Sequence, residues 1–137
     1  MLSAPEYGWS TLTIVSWSDR CSYLDDVPVM LLRAMESVLR TGRPAVEEFD
    51  AEGWGYLIVF ERGYIHIITE SNDDQNGWKH YDFELALRDL AGELIEDVKS
   101  QLDGWVHWFC YSDEDDDYYS ERKKTLLSMC DALEQQI

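Results

Sequence analysis

The stretch Gly55-Tyr56-Leu57-Ile58-Val59-Phe60, then Glu61-Arg62-Gly63, then Tyr64-Ile65-His66-Ile67-Ile68-Thr69, decides the fold. Two runs of β-branched and aromatic residues flank an Arg62-Gly63 pair, and such runs favour a pleated, half-buried surface. Glycine accepts the positive φ of a tight hairpin turn, so strands are expected over Gly55 to Phe60 and Gly63 to Thr69. Upstream, Ala45 to Phe49 reads as another strand. Downstream, the polar Ser71 to Gly77 is a loop, and Trp78 to Phe83 is a fourth strand. Strands linked this way need no crossover, so the sheet should be mainly antiparallel.

Further out, Trp9 to Trp17 reads as a strand with Leu12, Ile14 and Ser16 on one face, and a short strand near Cys21 to Leu24 pairs back onto it. Asp25-Asp26-Val27-Pro28 looks like a helix start, an Asp cap followed by proline in the first turn. Leu31, Met35, Val38 and Leu39 form its apolar stripe, Glu36 and Arg40 stand at ion-pair spacing, and Gly42 ends it. A second helix, capped by Asp82, carries Phe83, Leu87, Leu90, Leu94, Val98 and Leu102 in phase for about five turns. Gly92 inside it costs roughly 1 kcal/mol against alanine, which suggests close packing there. Trp105 to Tyr111 leans helical, and the chain ends in a helix with Leu126, Met129, Cys130, Leu133 and Ile137 on one side. The expected architecture is α+β: one domain over 1–137, with a mainly antiparallel sheet of about five to six strands and three helices largely on one face.

The 137 residues carry 28 acidic and 11 basic side chains, a net charge of −17. Taking the five acids of Asp113-Glu114-Asp115-Asp116-Asp117 from the 28 leaves 23 against 11 bases, so the acidity is global. Such a field repels nucleic acid and anionic membrane and speeds encounter with a basic partner. Aromatic residues make up 13%, including six Trp and eight Tyr, which a disordered acidic chain would lack. The longest apolar run, Tyr56 to Phe60, is far short of the roughly 20 residues that span a bilayer. The N-terminus lacks a basic start and an apolar core, and Cys21, Cys110 and Cys130 are odd in number and widely spaced. Both features predict a cytoplasmic protein without a disulfide framework.

No reaction-specific motif occurs: no G-x-S-x-G, no P-loop, no H-E-x-x-H. Gly53-Trp54-Gly55 is a turn with no helix after it to cradle a phosphate. His107 and Cys110 have H-x-x-C spacing, but zinc sites usually show two such pairs. Cys110 beside five acids would have its thiol pKa raised, which argues against a nucleophile. His66 and His80 are the sharpest pair. If the intervening loop is symmetric about Asp73, they face each other across a ladder, close enough to share a metal. No third ligand stands at a fixed spacing, so hydrogen bonding on a half-exposed face is the plainer reading. No catalytic residue, metal or cofactor is expected.

Asp113 to Asp117 with Tyr118-Tyr119 admits two readings. Ser112 and Asp115 have capping-box-like spacing, and the acids would offset the dipole of the last helix, partly neutralised by Arg122, Lys123 and Lys124. Alternatively Asp113, Glu114, Asp115, Asp116, Asp117, Tyr118 and Tyr119 form a charged, aromatic patch, extended by Asp73 and Asp74 and joined by Trp54, that mimics phosphates in a basic groove. In character the chain resembles the immunity proteins of bacterial polymorphic-toxin and contact-dependent inhibition systems. The resemblance rests on the short helix Pro28 to Thr41, the segment Ala51 to Phe60, its partner Gly63 to Glu70, and Trp105 to Trp108. It implies a non-enzymatic protein that binds and neutralises one cognate toxin, here a basic domain such as a nuclease, without itself binding nucleic acid. The alternatives are a nucleic-acid mimic that inhibits a defence enzyme, or a small metal protein or enzyme using His66 and His80.

Overall fold

The computed structural model describes residues 1–70, 77–109 and 115–137. The central hairpin is also the centre of the main sheet. Strand β3 (Ala45–Asp50) pairs with β4 (Gly55–Glu61), β4 with β5 (Tyr64–Glu70), and β5 with β6 (Trp78–Glu84), all antiparallel. The first two strands, β1 (Trp9–Ile14) and β2 (Trp17–Ser22), form a separate hairpin. The six strands therefore divide into sheets of two and four rather than forming one. Four helices occur among the described residues, not three: α1 (Val27–Thr41), α2 (Leu87–Ser100), α3 (Leu102–Val106) and α4 (Asp116–Glu134).

Period-2 alternation builds the core. Phe49, Tyr56, Ile58, Phe60, Ile65 and Ile67 point to one face of the four-stranded sheet and are all buried. Helix α1 lies on that face with Leu31, Met35 and Val38 buried, and α2 and α4 pack behind it with Leu94, Val98, Leu126 and Cys130. The β1–β2 hairpin closes one end. Trp17 meets Tyr56 edge-on at 5.1 Å, and the Tyr56 hydroxyl donates to the Arg20 carbonyl at 3.0 Å.

Several boundaries differ from the sequence reading. The expected strand Trp9 to Trp17 breaks after Ile14, because Val15 sits at φ 54° and turns the chain. A β-branched residue seldom adopts that conformation, so nothing in the local composition announces the turn. Gly63 does not use a positive φ. Asp82 and Phe83 belong to β6, so Asp82 caps no helix, and α2 is preceded by Ala86. The expected long helix ends at Ser100 and resumes as α3.

Gly92 also departs from expectation. It is exposed, and a Cβ there would meet nothing within 4 Å. Gly92→Ala should therefore raise stability by about 1 kcal/mol, through lower chain entropy in the unfolded state and better helix propensity. A melting temperature that falls in this variant would show that the position is not open.

Candidate functional site

The strand alternation that buries one face of the four-stranded sheet leaves the other without a covering layer among the described residues. The register aligns its outward side chains in rows. Val46, Val59, His66 and Asp82 form one row, and Glu48, Leu57, Ile68 and His80 the next. Asp50 and Gly55 with Glu70 and Trp78 close one end, and Glu61, Tyr64 and Glu84 the other. The centre is apolar, with Leu57, Val59 and Ile68 half-buried, while Val46 and Trp78 at the two edges are 55% and 54% exposed. Around it stand Glu48, Asp50, Glu61, Glu70, Asp82 and Glu84, and these rows of strand residues hold no Lys or Arg. An apolar centre inside a charged rim is the anatomy of a protein-binding surface.

At the end of β3 the rim folds into an open depression of about 520 Å³ lined by Asp25, Glu48, Asp50, Trp54 and Glu70. Its geometry is fixed by local hydrogen bonds. The Asp50 N–H donates to Asp25 Oδ2 at 2.7 Å, and the Gly55 N–H to Glu70 Oε2 at 3.0 Å. Trp54 is held from two sides: its indole N–H donates to the Asp19 carboxylate at 3.1 Å, and the Arg20 guanidinium lies 3.9 Å from its ring centre. Arg20 in turn donates to the carbonyls of Ala51 and Glu52, which pins the β3–β4 turn where Glu52 takes φ 59°.

Burial pushes the Asp25 carboxyl above the usual carboxylate range, and the neighbouring Asp50 and Glu48 charges add to this, against the lowering effect of the Asp50 N–H. A carboxyl whose folded pKa is raised favours folding when protonated, and that contribution is lost as pH rises through the folded value. At neutral pH the ionised Asp25 therefore costs stability. Asp25→Asn keeps the oxygen that accepts from Asp50 and removes the charge. It should raise the melting temperature at pH 7, with the gain vanishing at acid pH. A gain that persists at low pH would mean that the charge is not the cause.

The two histidines sit differently from expectation. The β5–β6 register places His66 opposite Asp82 and His80 opposite Ile68, because the ladder is centred one residue beyond Asp73. His66 Nδ1 lies 2.7 Å from Asp82 Oδ1, its Nε2 lies 2.9 Å from Glu61 Oε2, and the ring stacks on Tyr64 at 4.8 Å. Ionised carboxylates only accept, so the two contacts together favour the protonated ring, in which both nitrogens donate. The bonds to Asp82 and then Glu61 raise its pKa. Its stabilisation is complete below the unfolded histidine value near 6.5 and is lost as pH rises through the folded one. Both ring nitrogens are engaged by these carboxylates. Among the described residues no group of three or more His, Cys, Asp or Glu side chains is placed to hold a metal ion.

The acidic run is only partly described. Asp73, Asp74, Asp113, Glu114, Ser112 and Cys110 lie outside the described residues, and with them the H-x-x-C and Ser112 capping readings. Asp115 is itself the N-cap of α4, its carboxylate accepting from the Tyr118 N–H at 2.9 Å, with Asp116 and Asp117 exposed in the first turn. Tyr119 is half-buried against the core, 4.3 Å from the His107 ring, and Tyr118 stacks edge-on to it. The expected neutralisation takes another form, since Arg122 turns inward to Asp26 and Lys124 pairs with Glu121. These acids belong to the helical layer. The helical layer meets the rim of the sheet at the Asp25-Asp26 corner, where Asp25 accepts from the Asp50 N–H and Asp26 takes Arg122 of α4.

Among the described residues, Trp54 is thus the one partner-binding residue expected from sequence that lies at the open face, where His66 and His80 of the alternative reading also stand. Glu48, Asp50, Glu61, Glu70, Asp82 and Glu84 were missed. Their signal is alternation of acids with core residues along each strand, legible only once the register is known. The buried thiols fit no nucleophile: burial pushes Cys21 up to about 12 and Cys130 up to about 11. No helix among the described residues is long and apolar enough to cross a membrane. No family model, curated protein or solved structure matches the chain.

Proposed function

We propose that this chain is a non-enzymatic immunity-type protein that neutralises a basic toxin domain, a nuclease being the best fit, by receiving it on the open face of the four-stranded sheet. One observation carries the reading: six carboxylates surround an apolar centre on a sheet face whose strand residues include no lysine or arginine. An open sheet face on which carboxylates outnumber cations suits a partner of opposite sign. The open depression at Asp25, Asp50 and Glu70, with Trp54 beside it, has ample room for a lysine or arginine side chain inserted from that partner. The raised Asp25 pKa supports this, because a carboxylate that costs stability alone gains most from a cation. The binding region thereby shifts from the α4 run to the sheet, with Trp54 common to both.

The test is stopped-flow association with the cognate basic toxin domain, to be sought among the neighbouring genes, over a range of salt. Exposed charges are screened beyond about 8 Å at physiological ionic strength, so the association rate should fall by roughly tenfold or more from low salt. Protection of cells that co-express the toxin is the companion readout. Rates indifferent to salt, or no complex, would remove the proposal.

A further inference from the structure

We propose that the β6 edge is a self-complementary docking strand through which two copies of this chain join their sheets, and this does not depend on the basic-partner reading. The main sheet has two edges, β3 and β6. Strand β3 packs along α1 and approaches β2, while β6 has no second neighbouring strand among the described residues.

The Leu85 N–H donates to the Gly63 carbonyl at 3.1 Å, one step beyond the Tyr64–Glu84 pair. In an antiparallel ladder, hydrogen-bonded pairs alternate with non-bonded ones. Bonding at Gly63–Leu85 therefore fixes Ile65–Phe83, Ile67–Tyr81 and Thr69–Lys79 as the bonded pairs of this ladder. The N–H and C=O groups of Trp78, His80, Asp82 and Glu84 must then point away from β5, towards the free edge.

A second copy laid antiparallel on that edge has few registers that match free group to free group. Centred on Tyr81, Trp78 and Glu84 bond across the dyad, and His80 stands opposite the second copy's Asp82, twice by symmetry. Lys79 then faces Phe83, and Tyr81 faces its own copy in a non-bonded pair. A shift of two residues in either direction sets His80 against His80 or Asp82 against Asp82. The complementary register is therefore the dyad at Tyr81. It continues both open faces on the same side as one eight-stranded platform. The edge is short and each copy carries a net charge of −17, so association should be a concentration-dependent equilibrium that strengthens with salt. Toxin binding weakens with salt, so the two readings fail separately.

Sedimentation equilibrium from micromolar to millimolar protein, at low and high salt, is the first test. The expected result is a monomer–dimer equilibrium shifted to dimer by salt. His80→Pro deletes only an outward N–H and leaves the β5 ladder intact, so it should be monomeric with an unchanged circular dichroism spectrum. His80→Asp, which sets a second carboxylate against Asp82 across the dyad, should be monomeric too and serves if the proline variant does not fold. Register is tested in a Cys110→Ser background. Non-bonded pairs have Cα atoms about 4.5 Å apart, within disulfide reach, so Tyr81→Cys should cross-link on mild oxidation and Lys79→Cys should not. A monomer at every concentration, or a dimer that persists in both His80 variants, overturns the proposal. A monomer whose capture of the basic toxin is lost in His80→Pro overturns it too, and assigns the edge to a partner strand.

Discussion

Replacing Leu57 and Ile68 together by lysine should cut affinity for the basic toxin domain by about a hundredfold or more. The two residues face each other across β4 and β5, at the centre of the open face. Two cations there would meet a cationic partner in the part of the interface that must lose water. They should be tolerated in the free protein, because both sites are only half-buried and Glu48 and Glu70 stand at the margin. Lysine stems also lie along apolar surface while the head reaches water. The contrasting variant changes Asp115, Asp116 and Asp117 to asparagine. Asparagine caps a helix about as well as aspartate, so stability should fall only by about 0.3–1 kcal/mol for each helix-end charge removed. Affinity should stay within about threefold, since charges outside the buried interface act mainly on the association rate. Calorimetric affinities with melting temperatures for both variants decide the matter. If the asparagine variant loses affinity and the lysine variant keeps it, the toxin is held by α4 and not by the sheet.

The sheet was legible because β4 and β5 declare themselves twice, through β-branched runs and through a two-residue gap. Their antiparallel pairing follows from the short connection, and the burial of Tyr56, Ile58, Phe60, Ile65 and Ile67 from period 2. Helix α1 was legible for similar reasons: Pro28 in its first turn, the Glu36–Arg40 bond at 2.8 Å, and Gly42 closing it in the left-handed conformation. What failed was punctuation without composition. Val15 turns the chain where no Gly, Asn or Pro marks a turn, so two strands read as one. Phe83 and Leu87 share a helical phase, yet a strand ends between them, because β6 is held by its ladder with β5. Register failed by one residue in the loop centre, and that slip exchanged a histidine pair for a Glu–His–Asp arrangement. The open face was hidden for the same reason. Glu48, Leu57, Ile68 and His80 are scattered in sequence and become neighbours only through pairing. The long acidic run drew attention by contiguity, whereas six acids dispersed one or two per strand did not.

Arg122→Met should cost about 3 kcal/mol of folding stability, more than any surface change considered above. Sequence alone read Arg122 as partly neutralising the acidic run, but it is 8% exposed and faces inward. Its two terminal nitrogens each lie 2.9 Å from one oxygen of Asp26, and its Nε donates to the Trp105 carbonyl at 3.0 Å. Its plane also approaches the Phe109 ring at 5.0 Å. One side chain thus ties α4 to the start of α1 and to α3. Asp26, at the N-cap position of α1, makes no capping bond of its own because its carboxylate is committed to Arg122. Methionine preserves much of the stem's packing and removes every polar bond. It leaves Asp26 without its donor and the Trp105 carbonyl with only the longer bond from the Trp108 N–H at 3.3 Å, and breaking a buried pair from one side costs about 3–5 kcal/mol. The lower end applies because Asp26 remains 30% exposed and regains water. Arg122→Lys should recover less than half of the loss, since an ammonium cannot reproduce the two parallel bonds and the third to Trp105. Removing both charges, as Arg122→Met with Asp26→Ala, should be less destabilising than the sum of the single changes, because neither partner is left stranded. Urea unfolding of the four proteins measures the coupling. A loss below about 1 kcal/mol in Arg122→Met, the range of exposed ion pairs, would show that this clamp is a surface contact after all.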